Sequence, residues 1–189
     1  MMQLSSVISD VILAAVSLGV FFRFFSGFAL PNRLLWGAFF VTITMAATAG
    51  ALRFAGVQAV VPAHDSLQLL AGTVGILSVV MAIWSLVTRQ TFSMTTTIYV
   101  LFAGILLFLL LSLPVVKPFA SVVQSLGMLA TMLVAVYGLL QKYQKATWII
   151  VGVMTVGIAT KMPAQNFINA IDLYHYSLTA TLLCFGKAA

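Results

Sequence analysis

Seven apolar stretches, broken only by short polar, glycine-bearing or proline-bearing segments, take up almost the whole sequence. A helix needs about 20 apolar residues to cross the roughly 30 Å hydrocarbon core of a bilayer. In that solvent every backbone N–H and C=O must find its partner within the segment, and for runs of this kind the helix achieves it. The stretches lie at about residues 7–25, 34–54, 66–87, 94–113, 119–140, 148–160 and 166–185. The expected fold is therefore an all-α membrane protein, a bundle of seven transmembrane helices forming a single polytopic domain over residues 1–189. Six spans is the alternative, should the short 148–160 stretch be re-entrant.

Composition excludes other classes. Only 6% of residues are charged against 62% hydrophobic, and mean hydropathy is +1.16. Soluble domains carry about 25% charged residues, so this chain has too few to clothe a surface in water. The net charge of +6 is scattered singly or in loose pairs near segment ends. No basic stripe follows a phosphate backbone, and nucleic acid is excluded as a partner. The single Cys184 rules out an internal disulfide and a cysteine-based metal cluster. Met1 to Ser6 lacks the positive region of a signal peptide, so the first stretch is expected to be a retained span.

Seven spans set Arg23, Arg33, Arg89, Lys142, Lys145 and Lys187 on one side and Arg53, Lys117 and Lys161 on the other. The positive-inside bias then makes the C-terminus cytoplasmic and the N-terminus non-cytoplasmic, as in a bacterial inner membrane. Local signals predict the segment ends. Ser5, Ser6 or Ser9 would cap the first helix, with Asp10 in its first turn, and Asp65 or Ser66 would cap the third. Pro31 and Pro62 read as loop residues. Gln124, Ser125 and Thr131 are mild polar points in the fifth stretch. Gly72 with Gly75, and Gly152 with Gly157, make faces for close packing within the bundle or against other membrane subunits. The lipid bilayer is the other partner.

Topology gathers the rare polar groups. Asp10, Arg53, His64, Asp65, Asp172 and His175 all fall toward the non-cytoplasmic side, and they include every acid and every histidine in the chain. A carboxylate within the membrane costs about 2.5–3.5 kcal/mol on insertion scales, so each needs a partner, a wet cavity or a function. Asp172 and His175 are three apart and share one helix face. In one reading Arg53 pairs with Asp10, Asp65 or Asp172 and the cluster fixes packing. In the other, Asp172, His175, Asp65, Asp10 and Arg53 form a polar pocket that binds a metal or moves protons. As a metal site, His64, Asp172 and His175 would supply three ligands and water the fourth. No His-x-x-x-His pair is present.

The Asp172-Leu173-Tyr174-His175 run, with the closing Leu182 to Ala188, resembles a poorly characterised family of small bacterial seven-span proteins. Ser9 to Ala14 and Ala49 to Gly56 are similar to that family's opening and second span. More distantly, the layout resembles the ceramidase-like membrane hydrolases, including the adiponectin-receptor type. That resemblance implies a zinc-activated water attacking a lipid amide, with one histidine ligand near the end of span two and two in span seven. Here Arg53 stands at the first position, while Ile171 and Thr179 stand four residues either side of His175, so the zinc motif is incomplete. The expected function is a binding or accessory subunit of ceramidase-like architecture. The alternatives are a metal-dependent hydrolase of a lipid amide or ester, and a small transporter or channel. The last is disfavoured because no span carries an acid near its centre.

Overall fold

The computed structural model describes residues 3–162 and 169–189, and no strand occurs among them. Helix α1 (Leu4–Val20) runs on through a π-helical turn, Phe21–Phe25, and α2 (Leu30–Phe54) returns antiparallel. A 3-10 turn, Gln58–Val60, leads into α3 (Val61–Leu70), a second π-helical turn, Ala71–Gly75, and α4 (Ile76–Thr88). Then follow α5 (Met94–Ser112), a 3-10 turn at Lys117–Phe119, α6 (Ala120–Leu140), α7 (Ala146–Ala159) and α8 (Ala170–Ala188).

Five of these helical segments are long and apolar enough to cross a membrane: Leu4–Phe25, Leu30–Phe54, Gln58–Thr88, Met94–Ser112 and Lys117–Leu140. Helix α7 is a shorter apolar helix, and α8, which carries Asp172, His175 and Lys187, is not among the five. The expected start of the last stretch at Asn166 lies outside the described residues.

Two helix starts differ from expectation for one reason. Pro31 and Pro62 sit in the first turn of α2 and α3 rather than in loops. Proline is suited to that place, because its missing N–H has no intrahelical partner there and its φ is already helical. The earlier start of α3 places His64 and Asp65 inside the helix, so Asp65 is not its cap. Likewise α1 begins at Leu4 behind Gln3, with no side-chain cap. Ser6 and Ser9 therefore lie within the helix and Asp10 lies beyond its first turn. Capping by side chains does occur at α5, where Ser93 accepts from the Thr96 N–H, and at α8, where Asn169 accepts from Ile171.

The bundle is apolar outside and carries polar groups inside. On α5, Ile98, Tyr99, Phe102 and Leu109 are exposed, whereas on α1 the buried residues are Ser6, Ser9, Asp10, Leu13, Ser17 and Val20. Those six recur at helical spacing and make a polar inner stripe on an apolar helix. Hydrocarbon, not water, is the solvent such an exterior suits. Helix α1 packs between α2 and α8, α7 lies along α8, and α6 spans from α4 to α7. The core is aromatic at one end: Phe25 stacks on Trp36 at 4.1 Å, with Phe39, Phe40 and Phe185 around them.

Small residues bring the helices close. A Cβ on Gly104 of α5 would stand 2.8 Å from the Val74 Cα in the second π-helical turn, whereas one on Gly157 would meet only Met128 Cε at 3.7 Å. Gly104→Ala should therefore lower stability by about 1–3 kcal/mol through overpacking. Gly157→Ala should be near neutral, and thermal unfolding of the two variants in detergent makes the comparison.

Candidate functional site

Three residues of α1 and two of α8 meet deep in the bundle. The Ser9 hydroxyl lies 3.2 Å from Asp172 Oδ1, 3.2 Å from His175 Nδ1 and 3.1 Å from the Ser6 carbonyl. His175 Nδ1 is also 3.2 Å from Asp10 Oδ1. Asp10 is 1% exposed and Asp172 3%. A carboxylate only accepts hydrogen bonds, and Ser9 has a single proton. The assignment that gives both carboxylates a donor sends the Ser9 proton to Asp172 and the Nδ1–H of His175 to Asp10. His175 Nε2 is then left as the free nitrogen of the ring. Thr179 fixes the helix below by donating to the His175 carbonyl at 2.8 Å.

A second polar group lies on α2 and α3. Arg53 Nη1 is 3.0 Å from His64 Nδ1 and 3.4 Å from Asp65 Oδ1. A guanidinium can only donate, so Nδ1 of His64 accepts and its proton sits on Nε2. His64 is buried, whereas the Arg53 and Asp65 side chains are 38% and 52% exposed. A half-exposed pair of this kind contributes about 0–1 kcal/mol, so its stabilising part is small. Of the three carboxylates considered for Arg53, the structure chooses Asp65.

Asp10, His64 and His175 line one cavity of about 500 Å³ between the helices. Its remaining wall is mostly apolar, with Leu13, Phe39, Ile43, Met128 and Val153 among the lining side chains. Ser121, Gln124 and Ser125 add polar groups from α6. Five of the six residues singled out by topology thus fall in two hydrogen-bonded groups beside this space, and Asp172 joins the first through Ser9. The candidate metal set is divided between the groups: Asp172 and His175 share Ser9, while His64 is held by Arg53. Among the described residues no three His, Cys, Asp or Glu side chains come together to hold a metal ion. The Arg53 charge on His64 also opposes a cation there. The residues do not fit the zinc centre implied by the ceramidase-like resemblance.

Two site residues escaped the reading of motifs. Ser9 looked like a cap, although its spacing from Ser6, Leu13 and Ser17 puts it on the inner stripe. Gly50 carries no side chain to mark it in the sequence, yet it faces Asp10.

A family model matches residues 5–189 of the chain. The protein belongs to DUF6962, a family of unknown function. No curated protein and no solved structure matches it. The DUF6962 description assigns no chemistry, so the site must be read from its own groups.

Asp10 Oδ2 is buried without a hydrogen-bond partner among the described residues. A Cβ built on Gly50 would fall on that carboxylate, with Asp10 Cγ only 3.0 Å away. The close approach of α1 and α2 therefore aims Asp10 at His175. Gly50→Ala should shift the ¹⁵N resonances of the His175 ring and cost about 1–3 kcal/mol. Gly37→Ala, which meets only the Phe21 ring at 3.6 Å, should leave the ring resonances in place.

Proposed function

We propose that this protein is a seven-span receptor-like binding subunit for an amphipathic, lipid-like molecule within the membrane. In this reading α7 and α8 complete the bundle begun by the five longer apolar helices. The polar cluster faces the non-cytoplasmic side of a bacterial inner membrane, as the six-against-three distribution of basic residues favours. The observation that carries the reading is the cavity: about 500 Å³, apolar over most of its wall, with Asp10, His64 and His175 among the polar groups facing it. Ligand sites are typically concave spaces of about 300–1,000 Å³ with a few convergent polar groups. An acyl or polyprenyl chain suits the apolar wall, and a hydroxyl, amide or amine head suits the carboxylates and imidazoles.

A second reading keeps the lipid amide or ester but adds turnover. An imidazole held at Nδ1 by Asp10, with Nε2 free, has the arrangement of a general base that draws a proton from water. Ser9 is not placed as a nucleophile, because it approaches the same ring nitrogen as Asp10 rather than the opposite one. The binding role is favoured because most of the cavity wall is apolar, with Leu13, Phe39, Ile43, Met128 and Val153 facing the space.

Mass spectrometry of lipids extracted from the purified protein tests the proposal. The wild type should retain one amphipathic species in near-stoichiometric amount. Leu178→Trp, which fills the cavity, should lose it, and His175→Gln should weaken retention about tenfold, the loss of one charge-assisted hydrogen bond. A wild type free of retained lipid, or a Leu178→Trp variant that retains as much, would overturn it. Release of a hydrolysed product by the wild type would favour the catalytic reading.

A further inference from the structure

At the opposite end of the bundle lies a second cavity, of about 300 Å³, which the proposed binding role does not use. It is built where three connections meet: Phe28 before α2 with Asn32 in the first turn of α2, Arg89 and Gln90 after α4, and Tyr143 and Lys145 between α6 and α7. We infer that this cavity seats a phosphate group, with Arg89 as its principal ligand and Lys145 beside it.

Four of the six basic residues at this end are engaged. Around this end Arg23 lies over the Phe24 ring at 5.8 Å and Lys187 over Trp148 at 4.3 Å. Arg33 donates to the Ser26 carbonyl at 3.2 Å, and Lys145 to the Ala189 oxygen at 3.2 Å. The Arg89 guanidinium lines the cavity and makes no side-chain hydrogen bond or ion pair among the described residues. Three of the other polar side chains there are already paired, while the Gln90 amide and the Thr91 hydroxyl make no hydrogen bond among the described residues. Asn32 donates to Ser85 and accepts from the Phe92 N–H, Ser85 donates to the Gln90 carbonyl, and Tyr143 donates to the Ala188 carbonyl. Burial pushes the Tyr143 phenol above its ordinary range and the Arg89 charge opposes the shift, so the two are neighbours. A forked cation in a cavity with an amide and a hydroxyl to spare matches the bidentate geometry of a phosphate.

The backbone gives the same indication. Arg89 follows α4 in the left-handed region, φ 56° and ψ 31°, and closes the helix with the Gln90 N–H on the Ser85 carbonyl. Glycine takes this position without strain, and a side chain there costs about 1 kcal/mol. An arginine held in that conformation directs its side chain from a fixed point at the mouth of the cavity. Basic cavities between transmembrane helices are known to take anionic lipid headgroups, and in the seven-span reading this end carries six of the nine basic residues.

Native mass spectrometry of the full chain in detergent, titrated with dioleoylphosphatidylglycerol or with dioleoylglycerol, which lacks the phosphate, tests the assignment. Phosphatidylglycerol should bind in preference. Arg89→Gly should weaken it about tenfold, the loss of one charge-assisted contact, and Lys145→Gln should weaken it less. Because Arg89→Gly relieves a left-handed backbone, its thermal unfolding temperature should not fall, so lost binding cannot be ascribed to lost fold. Lys142→Gly relieves the same strain, φ 62°, outside the cavity and should keep wild-type binding. Inorganic phosphate added at millimolar concentration separates two sources of the same chemistry. Competition with the lipid identifies a site open to soluble phosphate, and its absence identifies a lipid headgroup site. Equal binding of the two lipids, or unchanged phosphatidylglycerol binding by Arg89→Gly, would overturn the assignment.

Discussion

The contact on which the structure depends is the one between Asp10 on α1 and His175 on α8, 3.2 Å apart in an apolar interior. Two carboxylates, Asp10 and Asp172, sit within reach of one imidazole and one hydroxyl. Removing either donor would leave a charge with no partner where desolvation costs several kcal/mol. That requirement explains features that otherwise look unrelated. It explains the serine stripe along α1, the glycine at position 50 that admits the Asp10 carboxylate, and the place of a less apolar helix beside α1. A helix with Asp172 and His175 facing lipid would be poorly inserted. With those groups turned onto Ser9 and Asp10, α8 presents Leu183 and other apolar residues outward.

Much of this was legible in the sequence, and the failures have physical causes. Hydropathy locates the helices, because bilayer length and backbone satisfaction leave a chain this apolar few alternatives. The starts of α2 and α3 were misplaced because proline breaks a helix interior but opens a first turn well, and composition alone does not distinguish the two. That Asp172 and His175 share one face of a helix followed from their spacing. The meeting of Ser9 and Asp10 with those residues, across more than 160 positions, did not. Local pattern specifies which face a residue occupies and is silent on which helix that face meets. The inner stripe of Ser6, Ser9, Asp10 and Ser17 is the available signal, and Ser6 and Ser9 near a helix start also fit the pattern of a cap. The partner of Arg53 depended on the unexpected first turn of α3, which brings Asp65 and His64 within its reach.

The molecule has two chemically different ends. One gathers every acid and both histidines around a cavity whose walls are largely apolar. The other carries most of the cations, several of them occupied by aromatic rings and carbonyl oxygens. The π-helical turn at Ala71–Gly75 lies between these ends, with Gly104 of α5 close against it and Gly72 lining the first cavity beside Gln124. Such turns within helices frequently accompany functional sites. Here it fits α3 and α4 around the space that Asp10 and His175 border.

A double-mutant cycle across Asp10→Asn and His175→Gln, read as unfolding free energy in mixed detergent, tests the central contact most directly. If the two groups form one buried hydrogen-bonded unit, the single changes will not add, and the coupling will be about 1.5–3 kcal/mol, as for a hydrogen bond to a charged group. Additivity to within about 0.5 kcal/mol would show that α1 and α8 are not joined through this pair, and would contradict the account.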